Sequence, residues 1–342
     1  MPSSAPRLGT VPRRARERGP RARAGRIAAA AQAACLLEAT AFKPGNVSRG
    51  RDLPGLAYRD LVLSATCIGP AFRRLDALSV GSVILQAIRD TRRSVATNTN
   101  LGIVLLLAPL ARAALLPGRG NLRARLRRAL RGLTVSDARL AYRAIRLAGP
   151  GGLGRARRQD VSREPTRTLL GCMRLARRRD AIAREYATGF RATFTVGLPA
   201  LRDARARGAP PEPAIAQAFL TLLARAPDTL LARRHGRSAA GAVSREARSI
   251  LAAGGALTKP GLARIVALDR RLRAARPPMN PGATADITAA VLFVALLEGE
   301  GQRTSTEAPR FSPRAETIAA RGSTSRAIPR NRSSSRSSAA KA

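Results

Sequence analysis

The sequence predicts an all-α fold, a single multi-helix bundle with disordered basic termini, and three observations support this prediction. Apolar residues recur at three- and four-residue spacing through most of the chain, and no alternating strand pattern persists. Hydrophobic residues make up 45% of the chain, but aromatic residues only 3%, and tryptophan is absent. A core of Ala, Leu, Ile and Val favours close helix packing, because sandwiches and barrels draw on aromatic and β-branched residues.

The two ends of the chain differ in composition from the predicted helical domain between them, residues 26–301. Residues 1–25 are rich in proline and arginine, and residues 302–342 form a serine- and arginine-rich tract of low complexity. Both ends are therefore predicted to be disordered. The arginine-rich N-terminal stretch and the apolar run after it resemble a signal or transit peptide, but a motif that looks functional begins directly afterwards, at Glu38. Since no apolar run is long enough to span a membrane, we expect a cytoplasmic protein.

The helices are predicted in order from their apolar periodicity and from the residues that interrupt it. The first covers residues 26–42 and ends at Lys43-Pro44-Gly45, where proline and glycine both break a helix. A polar cluster at residues 97–100 precedes a very apolar helix over residues 101–116. Short loops with glycine or proline separate the others, as in helical bundles. The same spacing predicts helices over residues 58–75, 80–95, 135–147, 165–186, 212–225, 238–253, 260–275 and 284–298.

The charge balance is extreme, with 62 Lys and Arg residues against 21 Asp and Glu residues and a formal net charge of +41. Clustered cations favour a nucleic-acid partner, because they release counterions from phosphates. Here nearly all the cations are arginines scattered along every segment, and few aromatic residues accompany them as stacking platforms. Compositional drift explains this pattern too. We therefore expect only non-specific, salt-sensitive binding to polyanions, and a basic nucleic-acid-associated protein remains an alternative.

Cysteine and histidine are too few and too dispersed for a usual zinc site. Cys35, Cys67 and Cys172 lie far apart without a C-x-x-C spacing, and His235 is the single histidine. The cysteines are predicted to be small buried residues of a protein in a reducing compartment. No chemistry is assigned to the histidine.

In a chain with so few acids, the positions of those that remain are informative. Glu38 lies on a largely apolar helix, where an unpaired carboxylate is costly, so it needs Lys43, a metal ion or a ligand hydroxyl as its partner. A purely structural Glu–Lys pair explains the spacing equally well. Asp52, in the loop that follows, is either a site residue or only a cap for the next helix.

The polar cluster before the helix at residues 101–116 contains more amides than a helix end requires. Asn98 and Asn100 can both cap the free backbone amides of that helix, and one cap would suffice. Gly102 follows in the first turn, where the missing side chain lets a ligand approach the helix N-terminus, a natural seat for phosphate. The cluster therefore predicts either one wall of a nucleotide-binding site or a helix cap with more capping residues than the helix needs.

Three further polar segments repeat this arrangement. Asp160 ends a glycine-rich loop at residues 149–161, whose amides can wrap an anion. Asp228 stands at the start of a helix, and Asp286 lies in the first turn of a very apolar one. Each carboxylate has a structural explanation in the helix dipole. Together they suggest a bundle in which helix ends converge on a polyanion and its metal ion.

Five motifs in fixed order make the chain resemble the triphosphoribosyl-dephospho-CoA synthase family, in a divergent K-P-G-N-V form. The resemblance covers about residues 27–300 and implies an all-helical fold. The matching segments are E-A-T-A-F-K-P-G-N-V (38–47), T-N-T-N-L-G-I-V-L-L-L-A-P-L (97–110), P-G-G-L-G with Q-D-V (150–161), P-D-T-L-L-A-R (227–233) and N-P-G-A-T-A-D (280–286).

The resemblance implies a pentosyltransferase that moves the triphosphoribosyl group of ATP to the ribose 2′-hydroxyl of 3′-dephospho-CoA and releases adenine. ATP is then a substrate, and Mg²⁺ is the expected cofactor. Our hypothesis assigns metal binding or proton transfer in catalysis to Glu38, Asp52 and Asp286. Nucleotide binding is assigned to Lys43, Asn98, Asn100, Gly102, Asp160 and Asp228, with Lys43 either on a phosphate or holding the first carboxylate.

One departure from the family pattern concerns the acceptor. Characterised synthases carry a His-containing stretch after the K-P-G motif, whereas this chain reads S-R-G-R-D-L-P-G-L-A-Y-R-D-L, with Asp but no His. The same ATP chemistry on another acceptor, in one-carbon or pterin cofactor metabolism, is therefore an alternative. A degenerate, inactive member of the family is a further one.

Overall fold

A computed structural model describes residues 19–118 and 120–299, and within these residues the fold is all-α, as predicted. They contain no β-strand, only two isolated bridges in the loop after the first helix. Among these helices, none combines the length and the apolarity that crossing a bilayer requires. A π-helical turn (Thr193–Gly197) and a 3-10 turn (Gly255–Leu257) accompany the α-helices. The α-helices are α1 (Pro20–Thr40), α2 (Tyr58–Cys67), α3 (Gly69–Arg73), α4 (Val80–Ser94), α5 (Leu101–Leu115), α6 (Leu122–Arg131), α7 (Val135–Ala148), α8 (Leu169–Ala176), α9 (Ala181–Thr188), α10 (Leu198–Ala206), α11 (Pro211–Arg225), α12 (Thr229–Ala252), α13 (Lys259–Ala274) and α14 (Gly282–Leu297).

The first helix begins earlier than the sequence pattern predicted. α1 starts at Pro20, and proline suits the first turn of a helix because its missing N–H would be unpaired there anyway. Residues 20–25 are therefore helical, and the prediction that residues 1–25 are disordered is wrong for this part. Residues 1–18 and the predicted tail at 302–342 lie outside the described residues.

Two predicted helices differ in their boundaries for local reasons. The segment 165–186 holds two helices, α8 and α9, because Asp180 has extended backbone and caps α9 by accepting a 2.9 Å hydrogen bond from the amide of Ala183. α12 begins well before the predicted 238–253 segment and is kinked at Gly236, where φ is 88°. The kink places a short basic helical turn ahead of the long helix.

The centre of the bundle consists of α5 and α14. Every residue from 103 to 111 in α5 and from 287 to 295 in α14 is buried. A helix that is apolar all round must be covered on every side, and α1 packs against both of these helices. The carboxylates of Glu38 in α1 and Asp286 in α14 lie close to the ends of their helices, beside this apolar packing.

Candidate active site

A recess of about 120 Å³ lies where α1 ends and where α5 and α14 begin. Its lining includes four polar side chains, those of Glu38, Asn98, Asn280 and Asp286, and the backbone of Gly102. They come from three helix ends that are far apart in the sequence. The packing thus brings Glu38 and Asp286 together, as the sequence predicted.

Lys43 holds the carboxylate of Glu38 in place. The Lys43 side chain is fully buried, and its Nζ lies 3.2 Å from Glu38 Oε1. Nζ also donates to the backbone carbonyls of Ala41, at 2.8 Å, and of Glu38. A buried ammonium needs such partners, because removing it from water is costly. Lys43 lines neither the recess nor the larger cavity described below, so of its two predicted roles the structure shows the one of holding Glu38.

The loop that carries Lys43 is fastened to α13 by a buried carboxylate. Gly45 has a φ of 76° and donates its amide to Asp269 Oδ1 at 2.8 Å. Arg273 Nε donates to both oxygens of Asp269, at 2.8 and 3.0 Å, and its Nη1 donates to the backbone carbonyl of Asp52 at 2.9 Å. The left-handed backbone at Gly45 favours glycine, and the arginine fixes the loop from α13.

Asp286 is the most electrostatically strained group of the recess. Burial raises its pKa well above the ordinary range, and the negative charges of Glu38, Asp228 and Asp180 raise it further, whereas Arg233 opposes them. The carboxylate lies against the backbone of α5, because a Cβ added to Gly102 would be 2.0 Å from Asp286 Oδ2. The recess therefore holds one carboxylate paired with Lys43 and a second, Asp286, that forms no ion pair within the described chain.

A larger cavity of about 900 Å³ shares Asn98, Gly102, Asn280 and Asp286 with the recess. Its lining includes apolar residues, among them Leu105, Tyr142, Ile145, Met173 and Ile182. It also includes six arginines, which we call the arginine wall: Arg155, Arg157, Arg158, Arg179, Arg233 and Arg234.

Sequence reasoning missed the arginine wall. Its members stand in the R-A-R-R run at residues 155–158, in the A-R-R pair at 232–234 and at Arg179. Arginine is so frequent in this chain that no local signal separates these from the others. The proximity of the first two groups to the glycine-rich loop and to the P-D-T-L-L motif was the only available indication. Asp180, which pairs with Arg233 at 2.8 Å, was also not predicted to lie here.

The two amides of the T-N-T-N segment have different surroundings. Asn98 lines both the recess and the larger cavity, and its Oδ1 accepts a 3.3 Å hydrogen bond from the amide of Leu101. Asn100 is buried and lines neither of them. Its Nδ2 donates to Ser64 O at 3.3 Å and to Thr91 Oγ1 at 3.1 Å, which ties α5 to α2 and α4. Only Asn98 is placed to face a ligand.

Asp228, predicted to support the nucleotide, connects two helices instead. Its Oδ1 accepts from the amides of Leu230 and Leu231 at the start of α12, at 2.8 and 3.0 Å. Its Oδ2 accepts from the amide and the hydroxyl of Thr284, both at 2.7 Å. The carboxylate lines neither the recess nor the cavity, because its four hydrogen bonds point it between α12 and α14.

Asp160 and Asp52, also predicted as site residues, shape loops outside the recess. Asp160 accepts from the amides of Ala156 at 2.5 Å and Ser162 at 2.9 Å, and these hydrogen bonds lower its pKa to about 2. Asp52 is exposed and accepts from the amide of Tyr58 at 2.7 Å, at the start of α2. Neither side chain lines the recess or the cavity, because each is turned toward the backbone amides that it pairs with.

The described residues contain no group of three His, Cys, Asp or Glu side chains arranged to hold a metal ion. Glu38 and Asp286 offer two carboxylates, and Oδ1 of Asn280 is buried without a hydrogen-bond partner in the described part of the chain. Mg²⁺ commonly takes one or two protein carboxylates and completes its coordination with water and substrate phosphates. The oxygen atoms at the recess suit such a partial set of ligands.

Known proteins that this chain resembles in sequence and in fold carry the same functional description. The family described as ATP:dephospho-CoA triphosphoribosyl transferase matches residues 24–305. A Pseudomonas paraeruginosa protein named "Probable 2-(5''-triphosphoribosyl)-3'-dephosphocoenzyme-A synthase" is 40% identical over 113 residues, which are 33% of this chain and 38% of that protein. A Stutzerimonas stutzeri protein of the same name is 30% identical over 273 residues, covering 74% of this chain and 84% of its own. A solved structure from Archaeoglobus fulgidus, assigned as a triphosphoribosyl-dephospho-CoA synthase, has a TM-score of 0.54 and 25% identity, covering 69% of this chain and 98% of its own.

Proposed function

Because the chain belongs to the ATP:dephospho-CoA triphosphoribosyl transferase family, we propose that it moves the triphosphoribosyl group of ATP to the ribose 2′-hydroxyl of 3′-dephospho-CoA and releases adenine. The observation that carries this proposal is the meeting of Glu38 and Asp286 in a recess that shares its lining with a cavity walled by arginines. Such a site suits a substrate that becomes positive at a sugar carbon and is negative at its phosphates.

The reaction exchanges one bond at the anomeric carbon of the ATP ribose. The bond from C1′ to the adenine nitrogen breaks, and a bond from C1′ to the acceptor's 2′-oxygen forms. The hydroxyl loses one proton and the departing adenine takes one up, so protons balance. Breaking a glycosidic bond of this kind passes through an oxocarbenium-like state, in which C1′ carries partial positive charge.

The carboxylates of Glu38 and Asp286 match that requirement. Their negative charge lowers the free energy of an oxocarbenium-like state more than that of the neutral sugar, which is what catalysis requires. The proton of the acceptor hydroxyl passes to this pair. Asn98, which lines both the recess and the cavity, would hold a sugar hydroxyl or the base.

Mg²⁺ would be held by Glu38 and Asp286, with Oδ1 of Asn280 as a further oxygen. When bound, it would neutralise charge on the triphosphate. The crowding of negative charge around Asp286 supports a cation at this place.

Substitution of the two carboxylates tests the proposal. Adenine release from ATP in the presence of 3′-dephospho-CoA and Mg²⁺ is followed by chromatography. Glu38→Gln and Asp286→Asn are expected to lower kcat by at least about 100-fold, the usual contribution of a general base. Wild-type rates in both variants would remove the two residues from the mechanism.

Stability measurements separate lost chemistry from lost folding. Burial and like charge raise the folded-state pKa of Asp286, so its ionised form costs folding free energy as the pH rises above the ordinary range of an aspartate. Asp286→Asn removes that cost and is expected to resist urea at pH 7 at least as well as the wild type. Glu38→Gln leaves Lys43 without its buried partner and is expected to be less stable. A variant that is inactive, folded and no less stable therefore identifies a catalytic loss.

One alternative concerns the acceptor: the same group of ATP would be transferred to the hydroxyl of a molecule other than 3′-dephospho-CoA. The loop after the K-P-G motif has no histidine, and that loop contributes Leu53 and Leu56 to the wall of the cavity. Adenine release that requires another hydroxyl compound, and not 3′-dephospho-CoA, would select this alternative. Adenine release with neither would favour an inactive protein or a binding protein.

A further inference from the structure

We propose that the arginine wall, together with the free backbone amides of the loop at residues 150–158, is a polyphosphate-binding subsite next to the carboxylate recess. Six arginines line the cavity that adjoins the recess. Only Arg233 has a carboxylate partner in the described chain, Asp180, at 2.8 Å. The other five line the cavity and form no ion pair within the described chain, although the charge of Arg179 acts on Asp160.

The uncompensated charge argues for an anionic ligand. Guanidinium groups gathered on one wall repel each other, and a polyanion relieves that repulsion while making bidentate hydrogen bonds. Arg234 passes close to the loop backbone, since a Cβ on Gly151 would lie 3.0 Å from its Nη2. Nε of Arg233 is buried and has no partner within the described chain. Donors are therefore available where the wall meets the loop.

The loop supplies further donors. It is held at its start by the amide of Gly149, which donates to Ile145 O at 3.1 Å, and at its end by Asp160. The hydroxyl of Tyr142 donates to the carbonyl of Gln159 at 2.7 Å. Between these anchors the amide of Ala156 donates to Asp160, whereas those of Gly154, Arg155, Arg157 and Arg158 are among the amides that donate no hydrogen bond within the described chain. Unpaired backbone amides of a glycine-rich loop form concave anion-binding surfaces.

The arginine wall and the carboxylate of Asp286 border the same cavity. They meet at Arg233, which pairs with Asp180 and whose positive charge also acts on Asp286. A phosphorylated nucleotide with its sugar at the carboxylates would therefore have its phosphates beside both the arginines and a metal ion held by the carboxylates. This orientation rests on the proposed function, whereas the binding of a polyphosphate rests on the arginines and the loop amides alone.

Binding of inorganic tripolyphosphate to the full chain, measured by calorimetry at fixed ionic strength, tests the subsite. The loop variant Arg155→Ala/Arg157→Ala/Arg158→Ala is compared with Arg131→Ala/Arg139→Ala/Arg143→Ala. The control removes the same charge from exposed positions of α6 and α7 that do not line the cavity. Because hydrogen bonds to charged groups are stronger than those between neutral groups, the loop variant is expected to bind at least about tenfold more weakly than the wild type, and the control within about threefold of it. Equal losses in both variants, or no loss in the loop variant, would overturn the proposal.

Kinetics identify whose phosphates the wall holds. If it binds the triphosphate of ATP, the loop variant raises KM for ATP and leaves KM for the acceptor near the wild-type value. If it binds the pyrophosphate bridge of the acceptor, the reverse holds. A loop variant with both values unchanged would contradict the subsite even in an active enzyme. Tripolyphosphate binding that depends on the loop arginines, in a protein that releases no adenine, would instead contradict only the proposed function.

Discussion

Gly102 is the residue on which the shape of the recess depends most directly. It stands in the first turn of α5, and the Asp286 carboxylate occupies the space that a side chain would need. The sequence suggested that this glycine allows a ligand to approach the helix. In the structure the group that approaches is a carboxylate of α14, which the missing side chain admits to the recess.

Gly102→Ala is expected to displace the Asp286 carboxylate without unfolding the bundle. The added Cβ would lie 2.0 Å from Oδ2, and since a shift of about 1 Å at a reacting group costs about 100-fold in rate, adenine release should fall by about that factor. The matched control is Gly241→Ala in α12, whose added Cβ meets nothing closer than Arg245 Nη1 at 3.6 Å. The control should keep its activity and gain up to about 1 kcal/mol of stability. Equal activity in the two variants would contradict this account of Gly102.

At the scale of the helices, Asp228 of the P-D-T-L-L-A-R motif has a structural role, because it connects two helices. It is 2% exposed and joins the start of α12 to the first turn of α14 through four hydrogen bonds. Burial raises its pKa, and those donors oppose the shift. Because α14 carries Asp286 and α12 carries Arg233, this connection fixes the distance between the carboxylate recess and the arginine wall.

Asp228→Ala is expected to destabilise the fold more than Asp52→Ala does. The first leaves buried amides and a hydroxyl unpaired and should lower the free energy of unfolding by about 2–3 kcal/mol. The second removes an exposed cap from α2, so its loss should be smaller and its activity close to wild type. Urea unfolding and adenine release measure both. Loss of activity in Asp52→Ala without loss of stability would restore the catalytic role that the sequence predicted for Asp52.

For the molecule as a whole, the excess of arginine has two electrostatic effects: a general attraction to polyanions over the whole surface, and a local one at the arginine wall. With a formal net charge of +41, the chain attracts any polyanion over distances of about a Debye length, and salt screens that attraction. The arginine wall differs from the rest of this charge because it lines a cavity next to free backbone amides. Selective binding is thus expected from the wall and unselective binding from the remaining surface.

Duplex DNA is expected to bind the full chain without sequence preference. Two duplexes of unrelated sequence should bind equally, and the affinity should fall by at least about tenfold between 50 and 200 mM salt, because each neutralised phosphate releases a counterion. Fluorescence anisotropy measures both effects. Affinity that survives at 200 mM salt, or that favours one sequence, would support a dedicated nucleic-acid function in place of the enzyme.

The sequence by itself determined the helical class and the most apolar helices, and it offered the Glu38–Lys43 pair as one of several alternatives. Each of these depends on neighbours a few residues apart along the chain. The short helices α6 and α10 were not predicted, since neither has a long apolar stripe. Only the tertiary structure decided that Asn98 faces the cavity while Asn100 ties helices together, and which arginines of so many form a wall. Helical periodicity is local, with a repeat of 3.6 residues, whereas the surroundings of a helix end depend on which distant helices pack beside it.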